Sequence, residues 1–472
     1  MMGMELWTAW FTAVAGLRPA CTRWRTFAWM VVVLIGVSIR PELAGVTSIV
    51  RVLELAPPLY LRLLALFHSS GLKLVPLTDL WVRWCRQAFT PIRVGSYLIC
   101  LADGLKVAKE GRKMPAVKKL HQSSDNNSKP PFIFGHSLQV LCLLVGGPAG
   151  HAAAVPLAAR IHEGVVWSNR DQRTLLDKLV LLFLPIATTL AQPVILIADA
   201  YYASRKVILP LLAAGHHLIS RARTNAVAYW PAPEPHKRRR GRPRLYGQHV
   251  TLRSLFQQPA HFTSIPSPVY GERHVQITYR VVDLLWRPVG RLVRFVLVRH
   301  PQRGAIILLC TDLTLDPVDV IILYAYRYKI ELSFRHALHV LGVYAYHFWM
   351  LTMTPLRRVS GNQHLHRKTE QYRQQVRRKL HAYHAHIQLG CIAQGLLQYL
   401  ALYFSTTVWQ TFRSWLRTMK LDLPPSELVV AHALRSTLPD FLRIGPADAN
   451  LRKFLARIIG SAKPLRDRQM AA

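Results

Sequence analysis

The chain has 472 residues, with 61 Lys and Arg against 24 Asp and Glu, for a net charge of +37 at pH 7. That length supports several domains with cores of their own and excludes any need for covalent or metal staples. The charge excludes a surface indifferent to polyanions: nucleic acid is the first expected partner, since each neutralised phosphate releases counterions, and an anionic membrane is the rival.

Six cysteines, at 21, 85, 100, 142, 310 and 391, have no short pair spacing, so buried reduced thiols are expected rather than a disulfide framework or zinc cluster. The best uncharged stretch, Thr26 to Ile39, is 14 residues long, whereas a membrane helix needs about 20. No membrane span is expected. Leu17 to Cys21 makes a poor processing site, so no signal peptide is read and a cytoplasmic protein is expected.

In chain order, residues 1–92 predict helices with breaks near Pro41, Pro57-Pro58 and Pro76, taken as a separate DNA-binding domain. Arg23 and Arg25, or Arg83 and Arg86, would be its contacts if it holds a helix-turn-helix; plain packing helices are the simpler reading. Gly95 to Asp103 is an apolar run closing on a carboxylate, which suits a strand buried on both faces; Lys106 to Lys129 reads as a loop. Phe132 to Val145 and Ala152 to Ile161 flank a Gly-rich turn at 146–150 and predict a hairpin.

Asp171 to Leu190 predicts a helix kinked at Pro185, and Pro193 to Asp199 repeats the theme of an apolar strand ending in Ala-Asp. Ser204 to Ala214 predicts a helix with Gly215 as its cap, followed by a strand over His217 to Arg221. Residues 225–305 read as a β-rich insertion, with prolines at 231–235 and a basic run at 237–244. A strand follows over Ile306 to Thr311. Asp316-Pro317 then opens one long helix to Leu341, capped by Gly342. Residues 346–472 are expected to be helical, with a basic segment at 357–378 and an apolar one at 387–404.

Acids are scarce here, so an Asp ending each of two apolar strands calls for a reason. A buried unpaired carboxylate costs several kcal/mol unless it binds a metal or a cation, although a strand-end Asp is as readily a turn former or helix cap. If the two strands are parallel neighbours, Asp103 and Asp199 converge at their carboxyl ends, where open α/β sheets place their crevice. Helical spacing sets Tyr324, Arg327, Glu331 and Arg335 on one face of the long helix, with Glu331 the third acid. Three carboxylates suit divalent ions and phosphodiester chemistry.

Tyr324-x2-Arg327-x3-Glu331, in the context Tyr-Arg-Tyr-Lys-Ile-Glu-Leu-Ser-Phe-Arg, resembles the tyrosine-arginine-glutamate-lysine signature of bacterial insertion-sequence DDE transposases. The likeness extends to Ala-Asp-Gly at 102–104, Lys109 to Pro115, Phe134 to Ser137, Ile197 to Tyr202 and Tyr346 to Trp349. It implies an α/β fold: an RNase H-like catalytic core with a β-rich insertion, flanked by helical N- and C-terminal domains. The expected parts are 1–92, core at 93–224, insertion at 225–305, core again at 306–345, and 346–472 for end binding or dimerisation.

The resemblance also implies that Asp103, Asp199 and Glu331 are the catalytic and metal-binding triad, holding two Mg²⁺ ions with Mn²⁺ as a substitute. Tyr324 and Arg327 would contact DNA beside the scissile bond. The signature lysine falls at Leu338, with Lys329, Arg335 or His339 as candidate replacements, and Asp125 is a weaker alternative for the first acid.

The run at 237–244 contains Arg240, Arg242 and Arg244 in an Arg-Gly-Arg-Pro-Arg element that resembles an AT-hook; a solvated basic loop is the plain alternative. His381, His384 and His386 have no convincing zinc geometry. The expected protein is a DDE transposase acting on double-stranded DNA, a homodimer in the DNA complex, nucleoid-associated and free of membrane. A catalytically inactive transposase-derived DNA-binding protein and another RNase H-like nuclease are the alternatives.

Overall fold

In the computed structural model, residues 2–122, 130–233, 244–445 and 448–459 are described. Five helices come first: α1 (Met2–Ala15), α2 (Trp24–Ile39), α3 (Gly45–Val52), α4 (Leu59–His68) and α5 (Leu74–Ala88). The expected break near Pro76 falls at residues 69–73, between α4 and α5, and Pro76 itself sits in the first turn of α5, where a missing N–H forfeits no helical hydrogen bond. The short strands β1 (Thr90–Pro91) and β2 (Arg93–Val94) lead into β3 (Tyr97–Ala108), which continues past Asp103 into the expected loop. Residues 104–107 alternate exposed and covered, the period-2 pattern of a half-buried strand.

Next come β4 (Lys118–His121), β5 (Phe132–Gly146), β6 (Ala152–Ile161) and β7 (Val165–Val166). β4 also lies in the expected loop, because it pairs antiparallel with β5; β5 and β6 form the expected hairpin. Residues 123–129, with Asp125, lie outside the described residues. α6 (Leu175–Leu190) starts four residues later than expected, at a Thr174/Asp177 capping box. β8 (Val194–Ile197), α7 (Arg205–Ala213) and β9 (His217–Arg221) follow as expected, with Gly215 left-handed after α7.

The β-rich stretch holds β10 (Val227–Pro231), β11 (Tyr246–Thr251), β12 (Thr263–Pro266), β13 (Gln276–Trp286), β14 (Arg291–His300) and β15 (Gly304–Cys310). The expected long helix is two: α8 (Pro317–Ala325) and α9 (Tyr328–His339). No Gly or Pro marks the break. The Tyr326 N–H is shared between the Ile322 and Leu323 carbonyls and Arg327 N–H donates to Tyr324, tightening the chain to a three-residue turn. Gly342, at φ 61°, ends the helical run. Beyond it, residues 345–369 are largely irregular apart from β16 (Gln363–His364). The expected separate basic and apolar segments share the single helix α10 (Glu370–Tyr403), followed by α11 (Ser405–Thr411), α12 (Glu427–Ile444) and α13 (Ala449–Ile459).

The chain divides into two units. One comprises residues 92–103 and 173–331. Its sheet runs β3-β8-β9-β15-β14-β13-β10-β11, with β3, β8 and β9 parallel and β15, β14 and β13 antiparallel. Val194 to Ile197 are fully buried, so this strand reads as a continuous apolar run.

The other unit holds residues 1–91, 104–172 and 332–472. α2 is buried along nearly its whole length and therefore needs neighbours on every side; α3, α4, α10 and α12 supply them. The N-terminal helices thus share a unit with the C-terminal ones. Gly395 of α10 admits α5 closely: a Cβ there would stand 2.3 Å from the Trp81 ring, whose indole N–H donates to Pro156 O at 2.9 Å. Among the described residues no single helix is long and apolar enough to cross a membrane; α10 and α11 would qualify together but are bent by 98°. All six cysteines are free and buried, as expected.

This second unit also gathers three of the segments that carry the family resemblance. Lys109 Nζ donates to the carbonyls of Tyr344 and, at 3.3 Å, Tyr346, and lies 3.7 Å from the centre of the Tyr346 ring. His136 bonds the Pro115 carbonyl through Nε2, at 2.9 Å. A carbonyl only accepts, so Nε2 carries the proton and Nδ1 accepts from the Tyr346 hydroxyl at 2.9 Å. Burial, with Lys109 adding to it, pushes His136 down to about 3, and burial alone pushes Lys109 down to about 7.

Candidate active site

Leu98 to Leu101 of β3 pair in parallel with Val194 to Ile197 of β8. Two residues further in the same register, Asp103 stands level with Asp199 on neighbouring strands, whose usual separation is about 4.8 Å. Both chains are apolar until that point, so these two positions are the first along them where a charge reaches solvent, β8 closing just before Asp199 and β3 running on past Asp103. Both aspartates are half-buried there. Asp199 also caps the turn after β8: its Oδ1 accepts from Tyr201 N–H at 3.0 Å, and its carbonyl accepts from the Ser220 hydroxyl at 2.7 Å.

The break between α8 and α9 turns Arg327 toward Asp103. Its Nη1 donates to Asp103 Oδ2 at 3.1 Å, and its Nη2 donates to Glu331 Oε1. One guanidinium therefore links the first acid to the third. The Asp103 side chain is 18% exposed and that of Glu331 55%, so the Asp103 contact is the less screened of the two. Burial works against the charge on Arg327, but Asp103 and Glu331 outweigh it and hold the group above its usual range.

Tyr324, at the end of α8, is also within electrostatic reach. Burial raises its hydroxyl above the ordinary tyrosine value; Asp199 and Asp103 add to that, while Arg327 and Arg221 oppose it. At neutral pH this hydroxyl keeps its proton and is a donor. Arg221, which closes β9, lies within electrostatic reach of Tyr324 and is a candidate that the sequence did not single out. The signal was present: a charged residue ending an apolar strand, the same rule that selects the two aspartates.

The three expected metal ligands do not converge as the side chains stand. Among the described residues no group of three or more His, Cys, Asp or Glu could hold a metal ion. The reason is local: Arg327 engages Asp103 and Glu331, and Asp199 serves its own turn. The donors are all carboxylate oxygens, which suits a hard divalent cation, and the guanidinium supplies the positive charge that two of them require.

Of the other candidates, Arg335 is exposed on the part of α9 that belongs to the other unit, where Leu338 is half-buried and His339 exposed. Lys329 shares the unit of the three acids, its Nζ 5.1 Å from the Tyr328 ring centre. Arg240 and Arg242 lie outside the described residues; Arg244 is exposed and its Nε donates to Tyr246 O at 2.7 Å. His384 and His386 are used singly, against Ile161 N–H and Val343 O.

A family profile described as DDE superfamily endonuclease matches residues 17–280, a span that contains Asp103 and Asp199 and ends before Glu331. A comparison with curated proteins gives no match.

Proposed function

Because the chain belongs to the DDE superfamily endonuclease family, we propose that it is a transposase of the insertion-sequence type. It would cleave double-stranded DNA at element ends and join the freed 3′-hydroxyls to target DNA. The observation that carries this reading is the level placement of Asp103 and Asp199 on parallel neighbouring strands, with Arg327 tying Asp103 to Glu331.

In this reading Asp103, Asp199 and Glu331 would hold divalent cations, Mg²⁺ or Mn²⁺, once Arg327 releases Asp103 and Glu331. Bound there, such ions would supply positive charge for phosphodiester chemistry. The protein's own groups bind and orient. Released from its carboxylates, Arg327 donates two parallel N–H groups to a phosphate. Tyr324 donates its retained proton to a phosphate oxygen, and Arg221 contributes charge from the next strand. Lys329 takes the place of the signature lysine. The enzyme works in the cytoplasm on nucleoid DNA, as a dimer that holds two ends.

Leu338 favours a second reading, a protein that binds element DNA without cutting it. Purified protein incubated with Mg²⁺ or Mn²⁺ and DNA carrying the inverted repeats that flank the coding region separates the two. Metal-dependent nicking and strand transfer are expected. Asp199→Ala should lower the nicking rate by about 10³-fold or more, since several kcal/mol of charge stabilisation leaves with the ligand, while DNA binding persists. Binding without nicking by the wild type selects the silent protein; nicking without joining selects a nuclease.

A further inference from the structure

Between the turn that joins α4 to α5 and one side of α10, the helical unit carries a groove of about 960 Å³. His68, Lys73, Arg377, Arg378 and His381 line it, and among the described residues none of its lining side chains is acidic. Arg377 is shared with Glu370 at 2.7 Å, but Lys73 and Arg378 have no ion-pair partner among the described residues. Lys379, next on α10, reaches His68 Nε2 at 3.1 Å.

The cluster is crowded with positive charge. Burial lowers His68 against its bond to the Leu64 carbonyl, and Lys379, Arg378 and His381 lower it further; burial and then Arg378 lower Lys379; burial lowers His381 against a backbone hydrogen bond to Ser69, and Lys73 lowers it further. The buried Nε2 of His381 has no hydrogen-bond partner among the described residues. α5 also begins here with no side chain capping its first turn. An anion in the groove would relieve the repulsion among Lys73, Arg378 and Lys379 and meet the uncapped first turn of α5.

We propose that this groove grips the phosphate backbone of duplex DNA without reading its sequence, as a contact formed entirely outside the unit that holds Asp103, Asp199 and Arg327. Lys73 lines the channel from the α4–α5 turn, and Arg377 and Arg378 line it from α10. That shape clasps a strand, whereas a flat lipid surface would meet only one wall. Lys73 and the α10 arginines meet phosphates through charge, so the contact positions rather than specifies. The inference rests on the reading above, in which DNA is the substrate.

The test uses the full chain with an end-bearing duplex and an unrelated duplex, each titrated over a range of NaCl concentrations. Lys73→Ala/Arg378→Ala should lower the slope of log affinity against log salt by about 2 and weaken both duplexes by the same factor. Lys73→Arg/Arg378→Lys, which keeps the charges, should restore the slope, and an unchanged melting temperature shows that the alanine variant is folded. An unchanged slope in the folded variant overturns the proposal, as does a loss confined to the end-bearing duplex. So does a loss of binding to phosphatidylserine vesicles with DNA binding intact. If nicking still depends on Asp199 in any of these cases, only the groove falls; a wild type that binds neither duplex removes the functional reading as well.

Discussion

Asp103 and Lys109 are six residues apart, and the chain treats their charges in opposite ways. Around Asp103 charge is kept: the carboxylate is partly exposed, and a guanidinium that also serves Glu331 holds it by one hydrogen bond. Around Lys109 charge is suppressed: the side chain is buried against Tyr346 with backbone carbonyls as its acceptors and no carboxylate ion-paired to it among the described residues. The contrast separates a site whose ionic contacts can be exchanged for a ligand's from a cluster whose contacts only fix the chain. Lys109, His136 and Tyr346 lie in three distant stretches of sequence, and their mutual hydrogen bonds fasten those stretches together.

The buried side of the contrast offers the largest effect. A base held at about 7 when folded and near 10.4 when unfolded binds fewer protons folded, so stability rises with pH between those values and is flat below about 7. The shift corresponds to a rise on the order of 5 kcal/mol. Lys109→Met should remove that rise, which denaturant melts at pH 7 and pH 10 would measure. Parallel pH profiles for variant and wild type would mean that Lys109 is not held neutral.

The exposed side should respond in activity rather than stability. Arg327→Ala is expected to cut metal-dependent nicking by about 10²-fold, roughly 3 kcal/mol, and to change the melting temperature little. Arg327→Lys should recover only part of the loss, because an ammonium cannot span two acceptors as a planar fork does. A variant that cuts normally would reduce Arg327 to a structural tie.

A smaller effect tests a buried pair of intermediate kind. Glu427 accepts from His336 at 2.6 Å and from Gln398 at 3.0 Å. That bond raises His336 against burial; burial raises Glu427, but His336 outweighs it and holds the carboxyl low. The His336 share of stability is complete below about 6.5 and fades as pH rises through its raised value. The Glu427 share is complete above about 4.3 and fades as pH falls through its lowered one. Glu427→Gln should therefore cost most near pH 5 to 6, about 1–2 kcal/mol after allowing for the partly exposed imidazole, and least once pH has risen past the raised His336 value. A cost independent of pH would leave packing as its only source.

Sequence alone brought Asp103 and Asp199 forward as candidates because each ends an apolar run, and an apolar run is visible one residue at a time. The α8–α9 break was not legible: neither Tyr326 nor Arg327 is a helix breaker, and the tight turn wins because it lets Arg327 reach a carboxylate 224 positions earlier in the chain. For the same reason, Arg335 does not follow Tyr324 and Arg327 along one continuous helical face. The continuation of β3 and the existence of β4 were hidden by lysines, which period-2 strands place on their open side. The Lys109 cluster has no local signature, since each of its partners is supplied by a different part of the chain.

The β-rich excursion leaves β9 and returns as β15, with Ala222 N–H closing onto Ile307 O at 2.8 Å. β15 is covered on its outer side only because β14 pairs with it along its length. Trimming the excursion away would strip that partner and bare an apolar edge, Ile306 to Cys310, ready to recruit strands from other molecules. The excursion therefore doubles as a guard against aggregation, and a shortened relative would need a charged or irregular edge in its place.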